Sequence, residues 1–129
     1  MLAQSSPLVR EVIGSAIDVH RAIGPGLLES AYEKCFSYEL AARDIEFQRQ
    51  VPVPVVYKGV RLDCGYRVDL VIDGEILVEI KSVEHILPIH AAQVLTYLKL
   101  LKLRQGLLIN FNVCRLTEGL RNFLLSGQS

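Results

Sequence analysis

The chain of 129 residues lacks several features that would assign a protein to a class at once. It has no apolar run near the roughly 18 residues that a membrane span requires, and no basic-then-apolar start typical of a secretory signal. The three cysteines, Cys35, Cys64 and Cys114, are too widely spaced for a CxxC pair or a zinc site. These absences predict a cytoplasmic protein without membrane contact, whose cysteines are reduced and mostly buried.

A net charge is also missing, because 14 basic residues balance 14 acidic residues. A neutral chain exerts no long-range attraction on nucleic acid, so composition counts mildly against such a partner, although a local basic face stays open. The hydrophobic content, in contrast, is 50%, which is enough for a substantial core. Length and composition together predict a single domain over residues 1–129.

Hydrophobic periodicity and turn residues predict the order of the secondary structure. Helices are predicted from Pro7 to Ile23, over about 27–43, from Pro88 to about 101, and over 117–125. Strands are predicted over 47–57, 60–72, 75–82 and 107–111. The first is expected to be an edge strand or an irregular one, because Pro52 and Pro54 each remove a backbone donor. The order α-α-β-β-β-α-β-α predicts an α/β fold, with one mixed sheet flanked by helices.

Charged residues interrupt two apolar segments in the middle of the chain. Asp69 lies in one predicted strand, and Glu79 and Lys81 lie two residues apart on one face of the next. An acid on a central strand is costly to bury unless it is paired or bound to metal. Two such carboxylates could hold magnesium, and Lys81 could orient or deprotonate an attacking water. A cross-strand salt bridge, with Lys81 or Arg67 as the cation, accounts for these residues equally well.

The hairpin between these two strands provides a test of the metal-site hypothesis. A two-residue loop at Asp73-Gly74 would pair Asp69 with Val78 and place Asp69 and Glu79 on opposite faces. A three-residue loop or a bulge would place both acids on the same face. The hypothesis therefore predicts an odd loop or a bulge, and an even register without a bulge would exclude a shared site.

These residues form part of a longer pattern, which the chain shares with a known family. Residues 26–32 read as GxxExxY, Asp69 with residues 79–81 matches the PD-(D/E)xK signature, and residues 93–97 are similar to the QxxxY helix motif of RecB-like and Cas4-like exonucleases. The chain thus resembles the GxxExxY family, a branch of the PD-(D/E)xK nuclease superfamily. The resemblance covers about residues 12–124 and implies a restriction-endonuclease-like core with the order αβββαβ.

The resemblance also implies an activity, namely hydrolysis of phosphodiester bonds with Mg²⁺ or Mn²⁺. The residues implied to be catalytic are Glu29, Asp69, Glu79 and Lys81. Those implied to bind the metal are Asp69, Glu79, Glu29 and the carbonyl of Ile80. Those implied to contact the substrate or support the site are Tyr32, Gln93 and Tyr97. No iron–sulfur cluster is expected, because the three cysteines do not form the four-cysteine set of Cas4-like relatives.

The expected partners follow from the same resemblance. Nucleic acid is the expected substrate, with DNA expected before RNA, and a homodimer is expected because small nuclease domains often cut in pairs. Two alternatives stay open: a nuclease-fold module that binds nucleic acid or a protein without cutting, and hydrolysis of another phosphate ester or nucleotide. The triplet Asp69, Glu79 and Lys81 favours the nuclease, because a pure binding module has no need of it. His20, a lone histidine on a core helix, is expected to be a hydrogen-bonded structural residue.

Overall fold

A computed structural model describes residues 6–126 of the protein. Two helices, α1 (Pro7–Ile23) and α2 (Glu29–Ala42), precede the strands β1 (Phe47–Pro52), β2 (Val55–Tyr57), β3 (Val60–Leu62), β4 (Arg67–Ile72) and β5 (Ile76–Lys81). Helix α3 (Pro88–Leu101), strand β6 (Gln105–Asn110), a 3-10 turn (Leu116–Gly119) and strand β7 (Leu120–Leu124) follow. No helix in this part of the chain is long and apolar enough to cross a membrane.

The main sheet has the strand order β1-β4-β5-β6-β7. Adjacent strands in this sheet are antiparallel except for β5 and β6, which are parallel and connected through α3. Buried side chains form one cluster with α1 and α2 and a second cluster with α3. The elements α2, β1, β4, β5, α3 and β6 follow the order αβββαβ, so the predicted restriction-endonuclease-like α/β core is confirmed.

The first helix begins and ends at the residues that the sequence indicates. The Ser6 hydroxyl accepts a hydrogen bond from the Val9 amide at 3.2 Å, and Pro7 occupies the first turn, where its missing donor costs nothing. Gly24 ends the helix with a φ of 71°, a conformation that glycine adopts without strain. Local capping chemistry therefore fixes the bounds of α1.

The helix predicted over residues 117–125 is wrong. This segment forms the 3-10 turn followed by β7, which pairs antiparallel with β6. Leu120 packs against the α1/α2 cluster and Phe123 against the α3 cluster, so their side chains reach both faces of the sheet. Hydrogen bonding to the otherwise uncovered edge of β6 thus outweighs the local helix propensity of these residues.

The single strand predicted over residues 60–72 is in fact two strands. Strand β3 pairs with β2 in a separate two-stranded hairpin, and only β4 enters the main sheet. Between them, the Asp63 carboxylate accepts a hydrogen bond from the Gly65 amide at 3.0 Å, and this local turn interrupts the extended backbone.

The prediction of mostly buried cysteines is also wrong, since Cys64 and Cys114 are exposed and Cys35 is partly buried.

Candidate functional site

The hairpin between β4 and β5 has a three-residue loop. Ile72 pairs with Ile76, which leaves residues 73–75 outside the ladder. Continuing this register beyond the last ladder pair places Asp69 directly opposite Glu79. Opposite residues of an antiparallel pair share a face, so the prediction of an odd loop that brings these two acids together is confirmed.

The two strands separate at this position, and side chains replace the backbone ladder. The Asp69 amide donates to Glu79 Oε1 at 2.9 Å, and the Ile80 amide donates to Asp69 Oδ2 at 2.7 Å. Neither carboxylate forms an ion pair with a lysine or arginine within residues 6–126. The cross-strand salt bridge, which was the alternative explanation for these charges, is therefore not the arrangement found here.

Both carboxyl groups have raised pKa values. Burial, and after it the charge of Asp69, raises the pKa of Glu79 from 4.5 to about 7, while Lys81 opposes the rise. Burial is also the main cause of the raised pKa of Asp69, and the charges of Glu33 and Glu29 add to it. Glu79 is only 6% exposed. Burial first, and the charges of neighbouring carboxylates second, thus make ionisation of both groups less favourable.

Helix α2 brings a further acid to this cluster through its first residue. Glu29 is exposed, and its Oε2 accepts a hydrogen bond from the Ser82 amide at 3.3 Å, directly after the end of β5. The Ser82 hydroxyl donates to the Leu27 carbonyl at 2.6 Å, which joins the same two segments. The charge of Glu29 contributes to the raised pKa values of both Asp69 and Glu79. Glu29 therefore lies at the end of β5, within electrostatic range of the two strand acids.

Tyr32 lies behind this site and does not open onto it. The side chain is fully buried, and its ring stacks on Phe111 with 4.6 Å between the centroids. Its hydroxyl donates to the Gly24 carbonyl at 2.6 Å and accepts from the Leu27 amide at 3.2 Å. These bonds hold the loop that leads into Glu29. A fully buried ring has no surface for a substrate, so of the two roles considered for Tyr32 only the supporting one fits its position.

Gln93 and Tyr97 lie four residues apart on α3 and face an apolar groove. The groove separates α3 from the β2–β3 hairpin, and Tyr66 and Ile89 also line it. Burial raises the pKa of Tyr97, and the charge of Glu79 raises it further. Tyr97 thus lies within electrostatic range of the acid pair. Gln93 lines the groove but forms no side-chain hydrogen bond within the described part of the chain.

Two polar residues beside the acid pair were not predicted from the sequence. Glu33, only 7% exposed, accepts hydrogen bonds from Arg49 Nε at 3.1 Å and from Gln50 Nε2 at 2.8 Å. Gln50 Nε2 lies 3.3 Å from Asp69 Oδ1 as well. The spacing of Glu33 four residues after Glu29 was the available signal, because it places both acids on one stripe of α2.

The position of Lys81 is supported by a buried asparagine on the neighbouring strand. Asn110 pairs with Lys81 in the parallel β5–β6 register and is 2% exposed. Its side chain donates to the Val83 carbonyl at 2.9 Å and accepts from the Val83 amide at 3.1 Å, which fixes the chain after β5.

His20 has the structural role that was predicted for it. Its Nε2 lies 2.7 Å from the carbonyl oxygen of Val113, a residue far along the chain, so the ring connects two distant segments.

The donor chemistry of the acid pair suits a hard divalent cation. Mg²⁺ keeps several of its waters and needs only one or two carboxylates from the protein. Asp69 and Glu79 supply two, on opposite positions of neighbouring strands, without an ion-paired cation within residues 6–126. Among residues 6–126, no group of three or more His, Cys, Asp and Glu side chains is arranged to hold a metal ion. The fit therefore rests on this pair of oxygen ligands and not on a complete protein cage.

Comparison with known protein families assigns the chain to a superfamily. A sequence model of the PD-(D/E)XK nuclease superfamily matches residues 6–123. Searches among curated proteins and among solved structures found no match. The matched range includes both strands of the acid pair and the three helices around the sheet.

Proposed function

The chain belongs to the PD-(D/E)XK nuclease superfamily, and from this premise we propose that it is a metal-dependent nuclease that hydrolyses phosphodiester bonds. The observation that carries the proposal is the opposition of Asp69 and Glu79 across the β4–β5 hairpin, with Lys81 two residues further along β5. Within the superfamily we propose the GxxExxY family, close to the RecB-like and Cas4-like branch, because residues 26–32 and 93–97 carry the corresponding motifs.

The proposed roles follow from chemistry and position. Asp69 and Glu79 bind Mg²⁺ or Mn²⁺, with the Ile80 carbonyl as a further ligand and Glu29 reaching the cation through a water. When bound, the cation stabilises negative charge on the phosphate and makes its bound water more acidic. Lys81 forms no ion pair within residues 6–126, so its ammonium group is available to hydrogen-bond the attacking water and to offset phosphate charge.

The apolar groove beside Tyr97 supports a nucleic-acid substrate that passes along α3. Gln93 and Tyr97 line this groove, so they are proposed to orient the substrate or the acid pair, while Tyr32 supports the loop before Glu29. DNA is the proposed substrate, and a single domain is proposed to carry the activity, acting as a homodimer. We place the protein in the cytoplasm, where exposed thiols such as those of Cys64 and Cys114 stay reduced.

A cleavage assay with matched variants tests the proposal. Single- and double-stranded DNA and RNA are incubated with the protein in Mg²⁺, Mn²⁺ or EDTA. We expect metal-dependent cutting, and a loss of roughly 100-fold in rate for Glu79→Ala and for Lys81→Ala, the size expected when one charge-stabilising group is removed. Glu75→Ala removes an exposed carboxylate from the hairpin loop and serves as the control.

The assay also separates the alternatives. Equal cutting by wild type and all variants would identify a contaminating nuclease. Binding of nucleic acid without cutting under any metal would support the non-catalytic binding module and contradict the proposed activity.

A further inference from the structure

Gln50, in the edge strand β1, has a backbone conformation unlike that of an extended strand. Its φ is 51°, in the left-handed region that costs a residue with a side chain conformational free energy. The β1–β4 ladder is in register on both sides, at Arg49 and at Val51, but has no pair at Gln50. The same register places Gln50 opposite Asp69. The strained residue is therefore the one that faces the proposed metal ligand.

The side chain of Gln50 connects this position to a buried acid on α2. Its Nε2 donates to Glu33 Oε1 at 2.8 Å and lies 3.3 Å from Asp69 Oδ1, and a primary amide has two N–H groups for two such acceptors. Glu33 is itself held by an ion pair with Arg49 at 3.1 Å. The Gln50 amide is thus held by the buried carboxylate of Glu33, which is itself ion-paired, and it also approaches Asp69.

These contacts leave Asp69 little rotational freedom. The Ile80 amide donates to its Oδ2 at 2.7 Å, and the Gln50 amide approaches its Oδ1. Both donors are neutral, so the carboxylate is oriented without losing its negative charge to a nearby cation. A ligand held in this way meets a metal ion without first losing side-chain entropy, which is the usual effect of hydrogen bonds to metal ligands.

We propose that Gln50, anchored by Glu33, is a positioning residue that holds Asp69 in the orientation required to bind a divalent cation. This inference rests on the proposed function, because it assigns the cation to Asp69. It adds two residues, outside the three motifs, that set the affinity of the site. It also accounts for the left-handed backbone of Gln50, because the conformational free energy that this backbone costs is offset by the orientation of Asp69 for metal binding.

The substitution Gln50→Gly separates positioning from a purely structural role. Glycine adopts a φ of 51° without strain, so the variant keeps the backbone and loses only the amide. We expect the Kd for Mn²⁺, measured by isothermal titration calorimetry, to rise roughly tenfold, as for other residues that hold metal ligands. We expect the midpoint of denaturant unfolding in EDTA to change little, because relief of the backbone strain offsets the lost hydrogen bond to Glu33. A purely structural role would instead lower this midpoint and leave the Kd for Mn²⁺ unchanged.

Two further variants complete the design. Gln48→Gly lies two residues earlier on the same strand and is exposed; it should leave the Kd for Mn²⁺ unchanged. Gln50→Asn keeps an amide and tolerates the left-handed conformation, so it should recover part of the lost affinity. In cleavage assays, Gln50→Gly should lower kcat and raise the Mn²⁺ concentration for half-maximal rate, with an unchanged KM for nucleic acid.

The outcomes distinguish this inference from the proposed nuclease activity. If wild type binds Mn²⁺, Gln50→Gly binds it more weakly and no nucleic acid is cut, the inference stands and the activity fails. Equal Mn²⁺ affinity of Gln50→Gly and wild type would overturn the inference, even if both cut DNA. Absence of Mn²⁺ binding by wild type would overturn it as well.

Discussion

Among the individual residues, Asp69 and Glu79 show most directly how backbone hydrogen bonds position two acidic side chains for metal binding. Each acid accepts a hydrogen bond from a backbone amide, of Ile80 and of Asp69 respectively, and neither has a cationic partner within residues 6–126. Backbone amides stabilise a carboxylate without neutralising it. The pair is therefore held in place while its charge remains available for a cation.

At the level of a single residue, Glu79 gives a prediction about how the stability of the metal-free protein depends on pH. The pKa of Glu79 is about 7 in the folded protein, above its usual 4.5, so the folded state binds this proton more tightly than the unfolded state does. This contribution is fully present below pH 4.5 and is lost as the pH rises through about 7. Relative to Glu79→Gln, we expect wild type to lose up to about 3 kcal/mol of unfolding free energy over this range.

Denaturant unfolding in EDTA, at a series of pH values from 4 to 8, measures this difference. Mn²⁺ should reverse the trend, because the ionised carboxylate is the form that binds metal, so affinity should rise with pH up to about 7. Parallel stability curves for wild type and Glu79→Gln would contradict the prediction.

At the scale of the elements, contacts between segments far apart in the chain decide the structure at two points. Arg43, at the end of α2, forms ion pairs with Glu11 and Asp18 of α1 and with Glu39 of its own helix, and these partners raise its pKa against the opposing effect of burial. At one edge of the sheet, β7 pairs with β6. Both contacts join segments whose local sequences do not specify a partner.

Gly119, the last residue of the 3-10 turn before β7, offers a test of the contact between this turn and the end of β6. A Cβ atom at this position would lie 2.1 Å from the Asn110 carbonyl oxygen, which belongs to the backbone and cannot rotate away. We expect Gly119→Ala to lower the unfolding free energy by about 1–3 kcal/mol, the usual cost of overpacking. Denaturant unfolding followed by circular dichroism measures the change.

Gly14→Ala is the matched control for this substitution. The added Cβ would meet only the flexible end of the Arg43 side chain at 3.3 Å, inside α1, where alanine is the better helix former. Its stability should be equal to or higher than that of wild type. A Gly119→Ala protein as stable as Gly14→Ala would show that the 3-10 turn does not pack as closely on Asn110 as described.

For the whole molecule, the dominant property is the balance of 14 basic and 14 acidic residues. Arg43 and Arg49 are paired with carboxylates. Because the acidic residues equal the basic residues in number, a nucleic acid near the surface gains little net electrostatic attraction. Recognition by the proposed nuclease therefore depends on the metal site and the adjoining groove more than on a basic surface.

This balance predicts a shallow salt dependence of nucleic-acid binding. With the slow-cutting Glu79→Ala variant in EDTA, the slope of log K against log salt concentration should be smaller in magnitude than about 3, which corresponds to roughly three phosphate contacts. Fluorescence anisotropy with a labelled single strand and a labelled duplex measures the slope. A slope of about 6 or more would instead indicate a concentrated basic face.

The sequence by itself determined the features that depend on local chemistry. The Ser6-Pro7 start and the Gly24 end of α1 follow from capping preferences, and the bounds of α3 were predicted correctly from Pro88 onward. The motifs in residues 26–32, 79–81 and 93–97 pointed to the superfamily that the match over residues 6–123 shows. Caps, turns and short motifs can be recognised in one sequence because each involves residues only a few positions apart.

The tertiary structure alone decided how distant residues meet. The Asp73-Gly74 turn is compatible with loops of either parity, and the pairing of Ile72 with Ile76 selects the one that unites Asp69 with Glu79. Pairing with β6 made a strand of residues predicted to be helical. The contact of Gln50 in β1 with Glu33 in α2 joins two residues that are 17 positions apart in the chain. Such contacts depend on which faces and edges are buried together, and that information is absent from any local stretch of the chain.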